Sequence, residues 1–282
     1  MERDIITVYC LIDEYLKISG IKDDVRAEIS NAEVLLIGYM AVNDFNGNYF
    51  KAHQYVKMMH LVKEIDYTRF LRRLVKINNV LSTLFLFLGS LFQRLNGAKI
   101  YSVDSFPVEL CQITRQSRVR LWSDPSLKGY NASKGRFFYG LKVHMVVTTD
   151  KEPVMVHISE GSIHDVTAGY QFMHHLPKES ITIGDKGYVS SKLEAFLKRF
   201  DIVLSPIGRN NMQRENKEDY FTKRRIRKGV ETAFSMITAK FGKVIKATTI
   251  GGFLTKLRLF ITAYAINCFL KLSDDKKALL FN

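Results

Sequence analysis

Residues 99–105 read Lys-Ile-Tyr-Ser-Val-Asp-Ser, a short β-rich run that closes on an acid, and residues 180–185, Ser-Ile-Thr-Ile-Gly-Asp, do the same. Between them lie two alternating stretches, 137–148 and 154–159, with Glu152-Pro153 as the turn, and a helical stretch over 165–176. After the second acid come a helix over 190–200 and a strand over 202–204. The order is three strands, helix, strand, helix, strand, which predicts a mixed α/β layer. Beyond it, 208–219 reads as a polar linker, 222–241 as a basic helix and 253–272 as a largely buried one.

Upstream of Ala98 the pattern is helical. Val8, Leu11, Ile12, Tyr15 and Leu16 recur at helical spacing, and Gly and Pro are scarce. In residues 66–77, Thr68 is the expected N-cap; Phe70, Leu71 and Leu74 fall on one side, with Arg69, Arg72, Arg73 and Lys76 on the other. With a preceding helix over 55–62, this segment predicts a possible helix-turn-helix whose second helix touches DNA. A solvated amphipathic helix has the same pattern. The predicted division is a helical DNA-binding domain over 1–97 and an α/β domain over 98–282.

The chain has 282 residues and a formal charge of +14, with 46% hydrophobic and 12% aromatic residues, so it carries ample core material and is not disordered. Residues 1–66 hold 11 acidic and 7 basic side chains, residues 67–98 hold five basic and no acidic ones, and the remainder carries 30 basic against 17 acidic. The excess clusters. From Arg115 to Lys142 there are seven basic residues and one acid, Asp124, which points to a polyanion as partner. The three scattered cysteines build neither a disulfide framework nor a zinc site and fit a reducing cytoplasm. No basic, apolar leader opens the sequence. The apolar stretches 80–92 and 259–270 are shorter than a bilayer span and are expected as core helices, with no membrane partner.

Three acids stand out. Asp104 and Asp185 close strands that, lying side by side in parallel, would bring both carboxylates to one sheet edge, where α/β sheets build sites. Glu231 follows Arg227-Lys228-Gly229-Val230 on the basic helix, with Val230, Phe234 and Ile237 at core spacing. Three converging carboxylates need a cation, and Mg²⁺ prefers such hard oxygen ligands. Arg224, Arg227 and Lys228 lie within about two turns, placed to hold a phosphodiester. Taken singly, the aspartates also fit strand-end turns, and Glu231 fits an i, i+4 partner of Arg227.

Together, Asp104 in Tyr-Ser-Val-Asp-Ser, Asp185 in Ile-Gly-Asp-Lys-Gly-Tyr and Glu231 in Arg-x3-Glu-Thr-x-Phe-Ser resemble the Asp-Asp-Glu (DDE) transposases of bacterial insertion sequences, most closely the family numbered 982. Gly140-Leu141-Lys142-Val143-His144, His164-Asp165 and residues 67–73 extend the resemblance over nearly the whole chain. It implies an RNase H-like catalytic domain that binds terminal inverted repeats, cuts 3′ ends with two Mg²⁺ ions (Mn²⁺ substituting) and joins them to target DNA. Asp104, Asp185 and Glu231 would be the catalytic metal ligands, Lys142, Arg227 and Lys228 would offset phosphate charge, and no nucleotide cofactor is needed. A homodimer pairing two DNA ends, in a bacterial cytoplasm, is the expected assembly. Two departures stand beside the resemblance. Thr238 occupies the position seven after the glutamate where relatives often carry Lys or Arg, with Lys240 the nearest base; and only 46 positions separate Asp185 from Glu231, too few for the β insertion some relatives use.

Lys142 also fits a strand-face lysine covering apolar surface. His144 and His164 are expected to be structural, and Asp165 to cap the following helix. Trp122 and Tyr130, in the basic stretch, fit either stacking on unpaired bases or core packing. The rival functions are a non-transposing nuclease or resolvase of the same fold, and a silent DNA-binding regulator.

Overall fold

The computed structural model describes residues 2–132, 134–207, 216–241 and 244–281. Most of the expected linker, 208–215, lies outside the described residues. In chain order the elements are α1 (Glu2–Ile18), α2 (Asn31–Asn43), α3 (Tyr49–Met58), α4 (Tyr67–Lys76), α5 (Asn78–Leu95), β1 (Ile100–Cys111), β2 (Lys128–Asn131), β3 (Arg136–Thr148) and β4 (Pro153–Glu160). There follow α6 (Asp165–Phe172), β5 (Ser180–Gly184), α7 (Ser191–Lys198), β6 (Ile202–Leu204), α8 (Lys217–Phe241), α9 (Ile250–Leu270) and α10 (Asp274–Phe281).

The chain divides into two compact units, one of Met1–Leu88 with Ile237–Ser273, the other of Gly89–Met236 with Asp274–Asn282. The expected division after residue 97 left the segment around α9 with the α/β domain; here that segment groups with the N-terminal helices, and the first break falls within α5. The reason is chemical: α9 is apolar on nearly every side, a pattern that says buried without saying in which core. In the helical unit Tyr39 Oη donates to Asn267 Oδ1 at 2.7 Å, and Thr262 Oγ1 donates to Leu81 O at 3.1 Å. α9 is also long and apolar enough to cross a bilayer, more than the 259–270 stretch implied, yet 67% of its most apolar window is buried within the protein.

α4 forms where expected, but its N-cap is Asp66, whose carboxylate accepts from Thr68 N at 2.9 Å and Arg69 N at 3.1 Å. Phe70 and Leu74 are buried; Arg69, Arg72 and Lys76 are exposed. The preceding helix ends at Met58, so residues 59–66 form a connection longer than the three or four residues of a helix-turn-helix. Arg73 is turned inward, with Nη1 donating to Ile29 O and Nη2 to Asn31 Oδ1 at 2.9 Å, and so ties down the loop ahead of α2. Lys240, at the end of α8, donates to Asn43 O at 2.7 Å and braces α2.

In the second unit β1 pairs antiparallel with β3 and parallel with β5; β4 extends the sheet beyond β3, and β6 extends it in parallel beyond β5. The spatial order β4-β3-β1-β5-β6, three antiparallel strands followed by two parallel ones, with helices alongside, is the RNase H-like arrangement. β2, which the alternation did not predict, lies on the same edge of β3 as β4 and pairs with Arg136–Tyr139. β1 runs to Cys111, far beyond the expected residue 103. Its pairing with β5 ends at Val103↔Gly184, while pairing with β3 continues past Pro107↔Lys142. Pro107 interrupts a strand pattern in sequence, and in the sheet it sits where β1 has become a one-sided strand.

Candidate active site

Asp104 is therefore not at the end of β1 but within it, one residue past the last β5 partner, where the two parallel strands separate. Asp185 follows Gly184 directly and is the residue from which a short 3₁₀ turn, Lys186–Tyr188, departs. The turn is closed by Tyr188 N donating to Asp185 O at 2.9 Å, and no capping bond occupies the Asp185 carboxylate. The parallel register thus places the two aspartates at the same sheet level.

Glu231 arrives from α8. Val230 and Ala233 are fully buried, and Phe234 packs on Phe106 with ring centroids 4.6 Å apart, a pair worth about 0.5–1.5 kcal/mol beyond its area. Phe106 and Asp104 are two apart on β1 and share a face, so the aromatic pair that docks α8 also sets Glu231 over the face bearing Asp104.

The three carboxylates converge on one guanidinium. Arg227 Nη1 lies 2.9 Å from Asp185 Oδ1, Nη2 lies 2.5 Å from Glu231 Oε1, and Nε lies 3.7 Å from Asp104 Oδ2. Nε is buried and has no hydrogen-bond partner. The Asp104 side chain is 15% exposed, and burial pushes its carboxyl up to about 7; Asp185 adds to the rise, whereas the Ser105 N–H, donating to Oδ1 at 2.8 Å, and Arg227 oppose it. Among the described residues, no three acidic, histidine or cysteine groups stand close enough to form a metal cage as placed, because the guanidinium lies among the acids. The donor set nonetheless fits a divalent ion. It is all carboxylate oxygen, it is strongly anionic, and one cation already reaches all three members.

The other basic residues divide. Arg224 and Lys228 are exposed on α8 at seven and three positions before Glu231, on the same side of the helix. Lys142 is paired with a different carboxylate: its ammonium donates to Ile163 O at 2.7 Å and to Asp165 Oδ1 at 3.3 Å, and its side chain is 14% exposed. Asp165 in turn accepts from Ser105, so the ammonium is tied through that carboxylate to the residue after Asp104.

Asp165 is the residue whose place sequence reasoning missed. The N-cap of α6 is His164, with no side-chain capping bond, and Asp165 turns inward instead of capping. Its Oδ1 accepts from Ser105 Oγ at 3.0 Å and from Lys142, while a Cβ added at Gly187 would lie 2.5 Å from its Oδ2. One carboxylate thus grips the residue after Asp104 and crowds the turn after Asp185. Its pairing with His164 in a family motif was the available signal. Beside it, His144 is buried between Tyr188 Oη at 3.1 Å and Ser159 Oγ at 3.0 Å, and burial, with help from Lys142 and His157, lowers its value to about 3.

A family model described as the transposase DDE domain matches residues 96–268. Among solved structures, the chain is similar to a piggyBac transposase synaptic complex with hairpin DNA, at a TM-score of 0.43 and 11% identity, over 98% of this chain and 76% of that one. No curated protein matches.

Proposed function

Because the chain belongs to the transposase DDE domain family, whose chemistry is DNA transposition by phosphodiester hydrolysis and strand transfer, we propose that it is the transposase of a bacterial insertion sequence. In this reading it binds the terminal inverted repeats, cleaves the 3′ ends and joins them to target DNA as a homodimer. The observation that carries the reading is the convergence of Asp104, Asp185 and Glu231 on a single cationic group.

Asp104, Asp185 and Glu231 would hold the divalent ions, Mg²⁺ or Mn²⁺ in its place. When bound, such ions supply activation of an oxygen nucleophile and stabilisation of the leaving oxygen in an in-line displacement. The chain's own contribution is positioning. β1 and β5 fix two carboxylates through their shared register, and α8 supplies the third with a rigid helix rather than a loop. Arg224 and Lys228, exposed beside Glu231, hold non-bridging phosphate oxygens and align the scissile strand. Arg227, already cationic and on the same turn, is placed to exchange its carboxylate partners for phosphate once DNA and ions arrive. In the helical unit, exposed Arg69, Arg72 and Lys76 of α4 contact the backbone of the end DNA, whereas Arg73 stays with the loop it anchors.

The test is incubation with labelled end DNA, Mg²⁺ and a target plasmid. Asp104→Asn, Asp185→Asn and Glu231→Gln each abolish nicking and joining while retaining DNA binding, and EDTA reproduces the loss. Metal-dependent cleavage by any variant removes that residue from the assignment. Nicked ends without joined product in the wild type leave a nuclease, not a transposase.

A further inference from the structure

The β2–β3 hairpin carries an aromatic pair that the core does not use. Tyr130 and Phe137 are cross-strand partners, their ring centroids lie 5.1 Å apart at 62°, and they are 54% and 53% exposed. Lys128 Nζ stands 5.1 Å over the Phe137 ring, and Lys128 and Tyr130, two apart, share the outward face. The opposite face is closed by buried Gly129 and Phe138. The outward face is itself half covered: Tyr139 is roofed by the segment at Trp122 and Asp124, its hydroxyl accepting from Asp124 N at 2.8 Å and facing Trp122 O at 3.2 Å. The cover stops there, leaving Tyr130 and Phe137 open.

The surroundings are cationic. Residues 109–137 hold six basic side chains against Glu109 and Asp124. Arg136 pairs with Glu109 at 2.6 Å, and Asp124 is occupied accepting from Ser126 N, so Arg115, Arg118, Arg120, Lys128 and Lys134 remain exposed without a compensating acid. Open aromatic faces within a basic field match a nucleic-acid strand whose bases have left the stack: phosphates meet the cations and base faces meet the rings. A regular duplex keeps its base faces stacked and offers the rings only backbone and base edges. The register adds a distance. Asp104 pairs near Met145, eight residues along β3 from Phe137, which at about 3.3 Å per residue puts the hairpin roughly 26 Å from the acids, or about seven to eight nucleotides along a DNA strand.

We propose that Tyr130 and Phe137 form a stacking platform for unpaired bases of the DNA on which this protein acts, about seven nucleotides from the scissile phosphate. The proposal rests on the reading of the protein as DNA-acting. Its test uses no divalent metal, so it stands or fails independently of the acids.

The experiment measures anisotropy of the full chain in EDTA with three fluorescein-labelled probes: a duplex, the same duplex with a central unpaired bubble, and the single strand. The wild type prefers the bubble and single strand by roughly tenfold, within the range expected for stacking one base. The double variant Tyr130→Leu with Phe137→Leu keeps an apolar cross-strand pair but removes both rings; it loses that preference while duplex affinity and its salt dependence are unchanged. A preference that survives the double variant, or is absent in the wild type, overturns the proposal and leaves the rings as a brace for the hairpin. A DNA-free dimer abolished by the double variant also overturns it, making the face a contact between copies. Should the double variant fail to fold, Trp122, the single tryptophan and next to the platform, reports on the wild type. Quenching by the single strand and not by the duplex supports the platform, and equal quenching refutes it.

Discussion

Replacing Arg227 by Gln should make the protein bind divalent metal more tightly, although the change removes a residue from the centre of the site. The guanidinium touches all three acids, at 2.5, 2.9 and 3.7 Å, and a metal ion must displace those contacts. Their strength is limited by water, since the Asp185 and Glu231 side chains are 37% and 49% exposed; such screened pairs contribute about 0.2–1 kcal/mol each. Together they oppose metal binding by roughly 1–2 kcal/mol, or about five- to thirtyfold in Kd. The assay is titration with Mn²⁺ followed by the electron paramagnetic resonance signal of the free ion, run at pH 8 so that Asp104, at about 7, is ionised. Without metal the variant should also melt earlier than the wild type, from repulsion among three uncompensated carboxylates, and Mn²⁺ should restore the difference. An Arg227→Gln protein that binds Mn²⁺ no better than wild type would show that the guanidinium does not compete for the acids. The reasoning about the site's electrostatics would then be wrong.

Asp165→Asn should lower the melting temperature by roughly 5–10 °C, because it leaves the nearly buried Lys142 ammonium without its carboxylate at a cost of about 2–3 kcal/mol. Adding Lys142→Met should recover much of the loss in the same melting curves; no recovery argues against the pair. His144 has its folded value lowered from 6.5 to about 3, so between those limits the unfolded chain takes up a proton that the folded chain refuses. Its contribution is therefore fully present above pH 6.5 and is lost as pH falls, by up to about 1.4 kcal/mol per pH unit; urea midpoints from pH 7 to 4 should fall more steeply for wild type than for His144→Gln. Arg72→Ala should weaken binding to any DNA and reduce the salt slope by about one, whereas Arg73→Ala should leave that slope unchanged and speed proteolysis of the loop before α2, read by gel.

The strands carrying the two aspartates were legible because each holds a compact β-rich run closing on an acid, whereas their parallel pairing stood only as a condition of the reading until the register supplied it. The length of β1 was not legible. Pro107 reads as a break, and only the one-sided pairing beyond Val103 explains its tolerance. Glu231 could be placed by the core spacing of Val230, Phe234 and Ile237, but the same arithmetic made Arg227 either an i, i+4 partner or a phosphate ligand. It could not foresee a guanidinium reaching across to both strands. Asp165, expected to cap α6, bonds Lys142 instead, and the sequence could not show it: the two residues stand 23 positions apart and nothing local to either marks the other as its partner. β2 was missed because four residues containing a glycine carry almost no periodicity.

The closeness of Asp165 to Gly187 ties together what the two positions can hold. A methyl group at 187 would have to push the Asp165 carboxylate off its bonds to Ser105 and Lys142, so a change at one position is felt at the other. Among kindred chains the pair should therefore change jointly or not at all, leaving a signature of shared history that neither residue would show alone.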